Sequence, residues 1–408
     1  MALLSHEKKG DKKKEYKRRS GKELAQTMAN CFSSVLKVLM FRSVRPCINL
    51  HLQISNSMMK DEPMSDKKIG VAIIGSGSIA THRHAPEYAA NPDVEIIAFV
   101  DRYPERAEKL AAKYGAKAFS DYKDVLALDS VDAVSVCVPN AFHAPITIAA
   151  LSAGKHTLCE KPMATSDEEA KAMIAASAKA GKFLMVGHNQ RLASLHVKAK
   201  ELIEAGTIGK IVSFRTSFSH PGPETWSIEG PTGWFFDKKQ AFVGTMGDLG
   251  VHKADLLRWL LGEEIVEVAS FVEHLEKPMG DVDDNAVCIL KAASGAIGTL
   301  TASWTHYPGE DNATYLYGTK GHIRLGADPK FSVLCFLKSG EKQYYEVGAL
   351  QTNEGGGQSD TGVIRAFVNS ILTNTAPEIS GEEGRRALAI ILACLKSSES
   401  KKFEKVEF

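Results

Sequence analysis

The chain has 408 residues, of which 44% are apolar and 24% are charged. These values exclude collagen-like, coiled-coil and largely disordered chains, and the length allows two or three domains. The net charge of +1 gives no sign of nucleic-acid binding. No apolar run approaches the ~20 residues of a membrane helix, so we expect no membrane partner. The seven cysteines include no C-x-x-C pair, which argues against a metal site and favours reduced thiols in the cytoplasm.

Residues 1–65 differ in charge from the rest of the chain. Residues 1–68 hold 15 Lys and Arg against 7 Asp and Glu, whereas the remainder holds 35 against 42. Basic runs with little apolar content are usually solvated, so we predict a basic, disordered leader over residues 1–65. A polybasic contact with nucleic acid or membrane is the less favoured alternative. We also hypothesise that the working protein begins near Met58 or Met64.

Residues 66–188 are predicted to form a first α/β domain, because short apolar strands alternate with helices. This alternation implies right-handed crossovers and a parallel sheet. Pro86 is expected to kink the first helix or start its regular part. The predicted strands are 70–74, 94–100, 132–138, 156–159 and 183–186. The predicted helices are 80–90, 104–114, 144–153 and 166–180.

Residues 189–408 are predicted to form a second α/β domain that binds substrate and mediates oligomerisation. Alternating polar and apolar residues with glycine turns indicate a mainly antiparallel sheet with one covered face. Because an exposed apolar sheet face is unstable in water, we expect a homodimer or homotetramer formed through it. The predicted strands are 212–219, 265–273, 285–292, 296–304 and 331–337. The predicted helices are 194–205 and 253–261, with two closing helices at 361–373 and 382–397.

A glycine-rich turn follows the first predicted strand and predicts a dinucleotide site, which makes residues 66–188 a Rossmann dinucleotide-binding domain. In Gly75-x-Gly77-x-x-Ala80 the first glycine would make the tight turn and the second would let the backbone approach a diphosphate. Ser78 and Ile79 lie in this turn, where helix N–H groups would bind the phosphates. Asp101 ends the next strand and would bind the ribose hydroxyls, which favours NAD over NADP. Arg102 leaves NADP open, because an arginine can pair with the additional phosphate.

Two further motifs lie where reacting groups are expected. Glu160-Lys161-Pro162 follows the predicted strand 156–159, at the sheet edge where ligands bind in such folds. Asp248 and His252 are four residues apart, so they share a face if that stretch is helical.

These motifs, together with Pro139-Asn140-x-x-His143, resemble those of the Gfo/Idh/MocA oxidoreductases, which include glucose–fructose oxidoreductase and inositol dehydrogenase. The resemblance covers residues 69–400. It implies a Rossmann domain followed by an α/β domain with a large, open, mainly antiparallel sheet. The catalytic set that it implies is Lys161, Asp248 and His252. It also implies that Asn140 and His143 lie along the nicotinamide half of the cofactor, with Glu160 nearby. Pro139 and Lys161 are further expected cofactor contacts.

The chemistry of alcohol oxidation assigns roles to the catalytic set. His252, with an ordinary pKa of about 6.5, can accept the hydroxyl proton, and Lys161 can stabilise the developing alkoxide. Asp248 would bind a second substrate hydroxyl or orient the histidine. Whether His252 or Lys161 is the immediate base stays open.

Three softer candidates for substrate contact are Arg191, Trp234 and His306. Trp234 follows a Gly- and Pro-rich segment that could form a lid, and His306 follows a strand that could instead end in a packed sheet edge. Asn189-Gln190-Arg191 stands where the family often has Asn-Arg-Arg.

We therefore expect an NAD-dependent dehydrogenase acting on a ring hydroxyl of a sugar or cyclitol. Relatives within the resemblance leave two alternatives, an NAD-dependent glycoside hydrolase and a non-catalytic dinucleotide-sensing regulator. The presence of all three catalytic candidates argues against the regulator.

Overall fold

The computed structural model describes residues 68–352 and 358–408. The predicted leader lies outside the described residues. No helix in the described parts of the chain has the length and apolarity that crossing a bilayer requires.

The first sheet is fully parallel and has the strand order β3-β2-β1-β4-β5-β6. The central strand β1 is buried along its whole length, as expected for a strand covered on both faces. The chain reverses direction across the sheet between β1 and β4, and ligands bind at such a switch point. The strands are β1 (Ile69–Ile74), β2 (Val94–Val100), β3 (Lys117–Phe119), β4 (Ala133–Val136), β5 (His156–Cys159) and β6 (Leu184–Val186).

Local sequence signals explain where the helices around this sheet begin. Pro86 lies in the first turn of α1, directly after a π-helical turn at Ala80–His84, so it starts the regular helix as predicted. Ser166 caps α5 by accepting a hydrogen bond from the Glu169 N–H at 3.2 Å. The helices are α1 (Ala85–Ala89), α2 (Pro104–Tyr114), α3 (Tyr122–Leu126), α4 (His143–Ser152) and α5 (Asp167–Ala180).

The second sheet has nine strands in the order β14-β13-β12-β11-β7-β10-β9-β8-β15. Its pairs are antiparallel except for the central pair β7–β10, which is parallel. The strands are β7 (Ile211–Ser219), β8 (Ile265–Glu273), β9 (Asn285–Ala292), β10 (Ile297–Ser303), β11 (Thr314–Gly318), β12 (Gly321–Leu325), β13 (Val333–Leu337), β14 (Lys342–Tyr345) and β15 (Glu404–Lys405). The expected mainly antiparallel sheet is therefore confirmed.

The remaining helices connect the two sheets and cover one face of the second. They are α6 (Ser194–Glu204), α7 (Lys238–Ala241), α8 (Val251–Leu261), α9 (Val363–Leu372) and α10 (Gly381–Ser400). Val363 and Phe367 of α9 belong to the core of the first sheet, although α9 follows eight of the nine strands of the second sheet in the chain. Leu388 of α10 packs in the first core, whereas Ile391 and Cys394 pack in the second. The closing helices thus fix the two sheets to each other.

Candidate active site

A cavity of about 450 Å³ lies between the carboxyl ends of the first sheet and the loops of the second. It extends from Asp101 and Arg102 at one end, past the glycine-rich turn, to Lys161 and His252 at the other. All the predicted cofactor-binding and catalytic residues line this one cavity. The structure thereby brings together motifs that are up to 177 positions apart in the chain.

The glycine-rich turn forms one wall of the cavity. Gly75 has φ +95°, and a Cβ there would lie 2.4 Å from the carbonyl oxygen of Cys137, so only glycine fits. A Cβ at Gly77 would meet no atom within 4 Å, and Gly77 lines the cavity. This open approach to the backbone is what the diphosphate of a dinucleotide requires.

Asp101 is fixed beside this turn by two backbone hydrogen bonds. The Ser76 N–H donates to Oδ2 at 2.8 Å and the Tyr103 N–H donates to Oδ1 at 2.9 Å. Each carboxylate oxygen keeps a lone pair for a ribose hydroxyl. Arg102 also lines this end of the cavity, with its guanidinium carbon 4.8 Å from the centre of the Tyr103 ring.

The loops after β4 and β5 form the opposite wall. The amide of Asn140 donates to the carbonyl of Ala241 at 2.8 Å. The His143 ring lies between two carbonyl oxygens, with Nδ1 2.7 Å from Pro162 and Nε2 2.9 Å from Val138. Burial lowers the pKa of His143 to about 4, and a neutral imidazole has a single N–H, so the ring donates to one of these two carbonyls at a time. His143 therefore ties the two loops together as well as lining the cavity.

Lys161 and Asp248 form a partly buried ion pair at the inner end of the cavity. Nζ of Lys161 donates to Oδ1 of Asp248 at 3.0 Å and to its backbone carbonyl at 2.9 Å. The other carboxylate oxygen accepts a hydrogen bond at 3.2 Å from the indole of Trp304, which is fully buried. An ammonium has three donors, so Lys161 keeps one for a ligand in the cavity.

His252 lies one helical turn beyond Asp248 and lines the same cavity. Asp248 lies in a π-helical turn at Met246–Gly250 that continues into α8. Burial, and then the charge of Lys161, lowers the pKa of His252 well below its ordinary value. Nδ1 is buried with no hydrogen-bond partner among the described residues, so Nε2 is the ring nitrogen left to face the cavity. A neutral imidazole in this setting is a proton acceptor.

The structure separates the three candidates for substrate contact. Trp234 is half-buried in the cavity wall and stacks on Phe235 at 3.9 Å between ring centres. Arg191 does not line the cavity. Its guanidinium is buried and donates to Asp255 at 2.8 and 2.5 Å and to Glu383 at 2.6 Å. His306 is exposed and also lies outside the cavity lining. Of the three candidates, only Trp234 therefore lies where it can contact a substrate in the cavity. Arg191 makes structural ion pairs, and His306 lies on the surface.

Sequence reasoning missed His220, which lines the cavity beside the ion pair. Its Nδ1 accepts the Gly222 N–H at 2.9 Å, so the proton resides on Nε2, which lies 3.9 Å from Oδ2 of Asp248. The sequence could have pointed to His220 through its position, because it directly follows β7 and directly precedes a Gly- and Pro-rich segment.

That segment, residues 221–236, we call the strap. Its Ile228 N–H donates to the hydroxyl of Ser78 in the glycine-rich turn at 3.0 Å. Glu229 pairs with Arg106 of α2 at 2.8 Å. Both strap residues line the cavity, so the strap connects the second sheet to the dinucleotide end.

The comparisons with known proteins agree with this geometry. A family described as an oxidoreductase family with an NAD-binding Rossmann fold matches residues 69–188, and the GFO/IDH/MocA C-terminal domain matches residues 196–324. The chain belongs to the Gfo/Idh/MocA family of oxidoreductases. The cavity suits NAD, because an open glycine turn and an oriented acidic residue occupy the positions that a dinucleotide requires. The expected oxidoreductase class and the NAD cofactor are confirmed.

Among its relatives is myo-inositol 2-dehydrogenase of Thermotoga maritima, which is 30% identical over 343 residues, covering 83% of this chain and 98% of that protein. Levoglucosan dehydrogenase of Pseudarthrobacter phenanthrenivorans is 31% identical over 63% of this chain and 73% of its own length. The structure of a levoglucosan dehydrogenase complexed with NADH and levoglucosan has a TM-score of 0.74 at 26% identity. It covers 84% of this chain and all of that one.

Proposed function

We propose that the protein transfers a hydride between a ring hydroxyl of a sugar or cyclitol and the nicotinamide of NAD. The observation that carries the proposal is the convergence of Lys161, Asp248 and His252 at the inner end of the NAD cavity. The names of the similar enzymes support the substrate class, since they include dehydrogenases of inositol, levoglucosan and D-glucosides.

The geometry favours His252 as the immediate base and Lys161 as the group that stabilises the alkoxide. His252 is neutral and has one nitrogen facing the cavity, whereas Lys161 already donates two of its three N–H groups to Asp248. The remaining donor can bind the substrate oxygen as negative charge develops on it. NAD, when bound, supplies the hydride acceptor. Asp248, fixed by Lys161 and Trp304, orients the lysine.

Polar and aromatic residues around the catalytic set suit a polyhydroxylated ring. His220 presents an Nε2–H beside Asp248, and Asn189 and Gln190 line the same end of the cavity. Trp226 and Trp234 of the strap add aromatic surface, against which the C–H face of a sugar ring can pack. We assign these residues to substrate binding, together with the catalytic set.

A substrate panel tests the proposal. NADH formation is measured with myo-inositol, scyllo-inositol, levoglucosan and glucosides, using His252→Asn as the matched variant. We expect NADH from at least one of these compounds and its loss in the variant. Nitrophenol release from nitrophenyl glycosides without net NADH would instead indicate the hydrolase. NAD binding without any turnover would indicate the regulator.

We also propose a homo-oligomer formed through the open face of the second sheet. Phe271, Val287 and Ile289 lie on this face and are 65%, 52% and 52% exposed. Phe271 and Val287 are paired across β8 and β9, so they form a continuous apolar patch that a second copy would cover. Ile289→Glu should lower the mass measured by light scattering, whereas Val197→Glu on α6 should not. An unchanged mass for Ile289→Glu would contradict this interface.

We place the enzyme in the cytoplasm. Five of its cysteines are free and buried: Cys137, Cys159, Cys288, Cys335 and Cys394. Reduced thiols of this kind are typical of a reducing compartment.

A further inference from the structure

Arg83 and Glu160 form a buried ion pair in the wall of the cavity that the proposed mechanism does not use. Arg83 lies on the π-helical turn after the glycine-rich turn, and Glu160 directly precedes Lys161. Their side chains are 1% and 7% exposed, and both residues line the cavity. A second guanidinium nitrogen of Arg83 donates to Oε1 of Gln358 at 3.2 Å, which fixes the arginine in place.

The surroundings of Glu160 leave Arg83 as its only cationic partner among the described residues. The same carboxylate oxygen lies 2.8 Å from Nε2 of His84. Burial, followed by the charge of Arg83, lowers the pKa of His84 well below its ordinary value, so His84 is neutral at pH 7. A Cβ at Gly187 would lie 2.7 Å from the carboxylate, so the glycine leaves room for it. Lys161, the nearest other cation in sequence, is paired with Asp248.

Each of these two ion pairs is formally neutral, so neither adds a net charge to the wall of the cavity. The nicotinamide carries a positive charge in NAD⁺ and none in NADH, so the charge of its surroundings affects the two forms differently. In a partly buried site, one unpaired charge several ångströms away is enough to change that preference measurably. A net negative wall favours NAD⁺, and a net positive wall favours NADH.

We propose that Arg83 sets the relative affinity of the enzyme for NAD⁺ and NADH by neutralising Glu160 in the wall of the nicotinamide end. Arg83 is then a residue that determines selectivity between the two forms of the cofactor. The inference rests on the proposed function, which requires the nicotinamide close to Lys161, the residue that directly follows Glu160.

A charge cycle of four proteins, with a fifth as control, tests the proposal by measuring Kd for NAD⁺ and for NADH in each. Arg83→Gln leaves the wall negative, and we expect the ratio of the two Kd values to shift toward NAD⁺ by about tenfold. Glu160→Gln leaves it positive, and the ratio should shift toward NADH by a similar factor. The double variant is neutral again, so its ratio should return close to that of the unchanged protein. Arg83→Lys keeps the charge and serves as the matched control.

The titrations are made at about pH 8.5, above the ordinary histidine pKa of about 6.5, to keep His84 neutral. Two results would overturn the proposal. In the first, both affinities fall together and the ratio of the two Kd values stays constant, as a structural role predicts. In the second, Arg83→Gln and Glu160→Gln shift that ratio in the same direction. If Arg83→Gln does not fold, Glu160→Gln alone must still shift the ratio toward NADH. The cycle needs no sugar substrate, so failure of the substrate panel and failure of this inference are separate outcomes.

Discussion

Replacement of Lys161 by methionine tests the proposed catalytic set most fully, because it removes the charge and keeps the length of the side chain. The Nζ–Oδ1 distance to Asp248 is 3.0 Å, with side-chain exposures of 15% and 9%. Loss of one donor to a developing oxyanion costs about 3–4 kcal/mol, so kcat/KM should fall roughly 10²- to 10³-fold. Asp248 would lose its cationic partner, and the free energy of unfolding should fall by about 3 kcal/mol or more.

The pH profile of kcat/KM gives a second readout of the same variant. The charge of Lys161 helps to hold the pKa of His252 low, after burial. Activity requires neutral His252, so it is lost as the pH falls through this pKa. Lys161→Met should raise the pKa and move the acid limb of the profile toward higher pH.

Lys155 provides the control for this experiment, since it is a buried lysine that lies outside the cavity lining. Its Nζ donates to the carbonyls of Leu128 and Val131. Lys155→Met should destabilise the protein but leave kcat/KM and the acid limb unchanged. An acid limb that does not move in Lys161→Met, or a loss of activity no larger than that of the control, would refute the role of Lys161.

Three further substitutions have defined outcomes. Asp101→Ser removes the charge that opposes the additional phosphate of NADP. The ratio of kcat/KM for NADP⁺ to that for NAD⁺ should therefore rise by at least about tenfold. An unchanged ratio would contradict the contact of Asp101 with the ribose. Trp304→Phe removes a hydrogen bond to the Asp248 carboxylate and should cost about 1.5–3 kcal/mol of unfolding free energy in urea titrations. Arg191→Met leaves Asp255 unpaired and should lower the free energy of unfolding by about 3–5 kcal/mol. A large rise in substrate KM without this loss of stability would instead make Arg191 a substrate contact.

Periodicity and local motifs predicted five of the six strands of the parallel sheet and four of the five helices around it, and the short helix α3 was missed. Ser166 and Pro86 act within one helical turn, so their effects can be read from neighbouring residues. The edge strand β3 was missed because it has only three residues. Strands β11 and β12 were missed because they are short and joined through glycine.

The site could be predicted only where a motif marks the end of a strand. Asp101 and Lys161 follow buried strands, and parallel strands bring their ends to one edge of a sheet. The partners of Arg191 are 64 and 192 positions away in the chain, a distance that no local pattern encodes. His306 and His220 both follow strand ends, and the sequence alone did not determine which loop turns toward the cavity.

The most direct test of hydride transfer uses a substrate deuterated at the carbon that bears the reacting hydroxyl. The reduced cofactor is isolated after turnover with NAD⁺, and its mass is measured by mass spectrometry. Direct transfer to the nicotinamide predicts that the cofactor carries the deuterium. Two results would contradict a dehydrogenase built around Lys161 and His252. One is unlabelled NADH. The other is product that forms while the cofactor remains NAD⁺ and the deuterium remains on the substrate carbon.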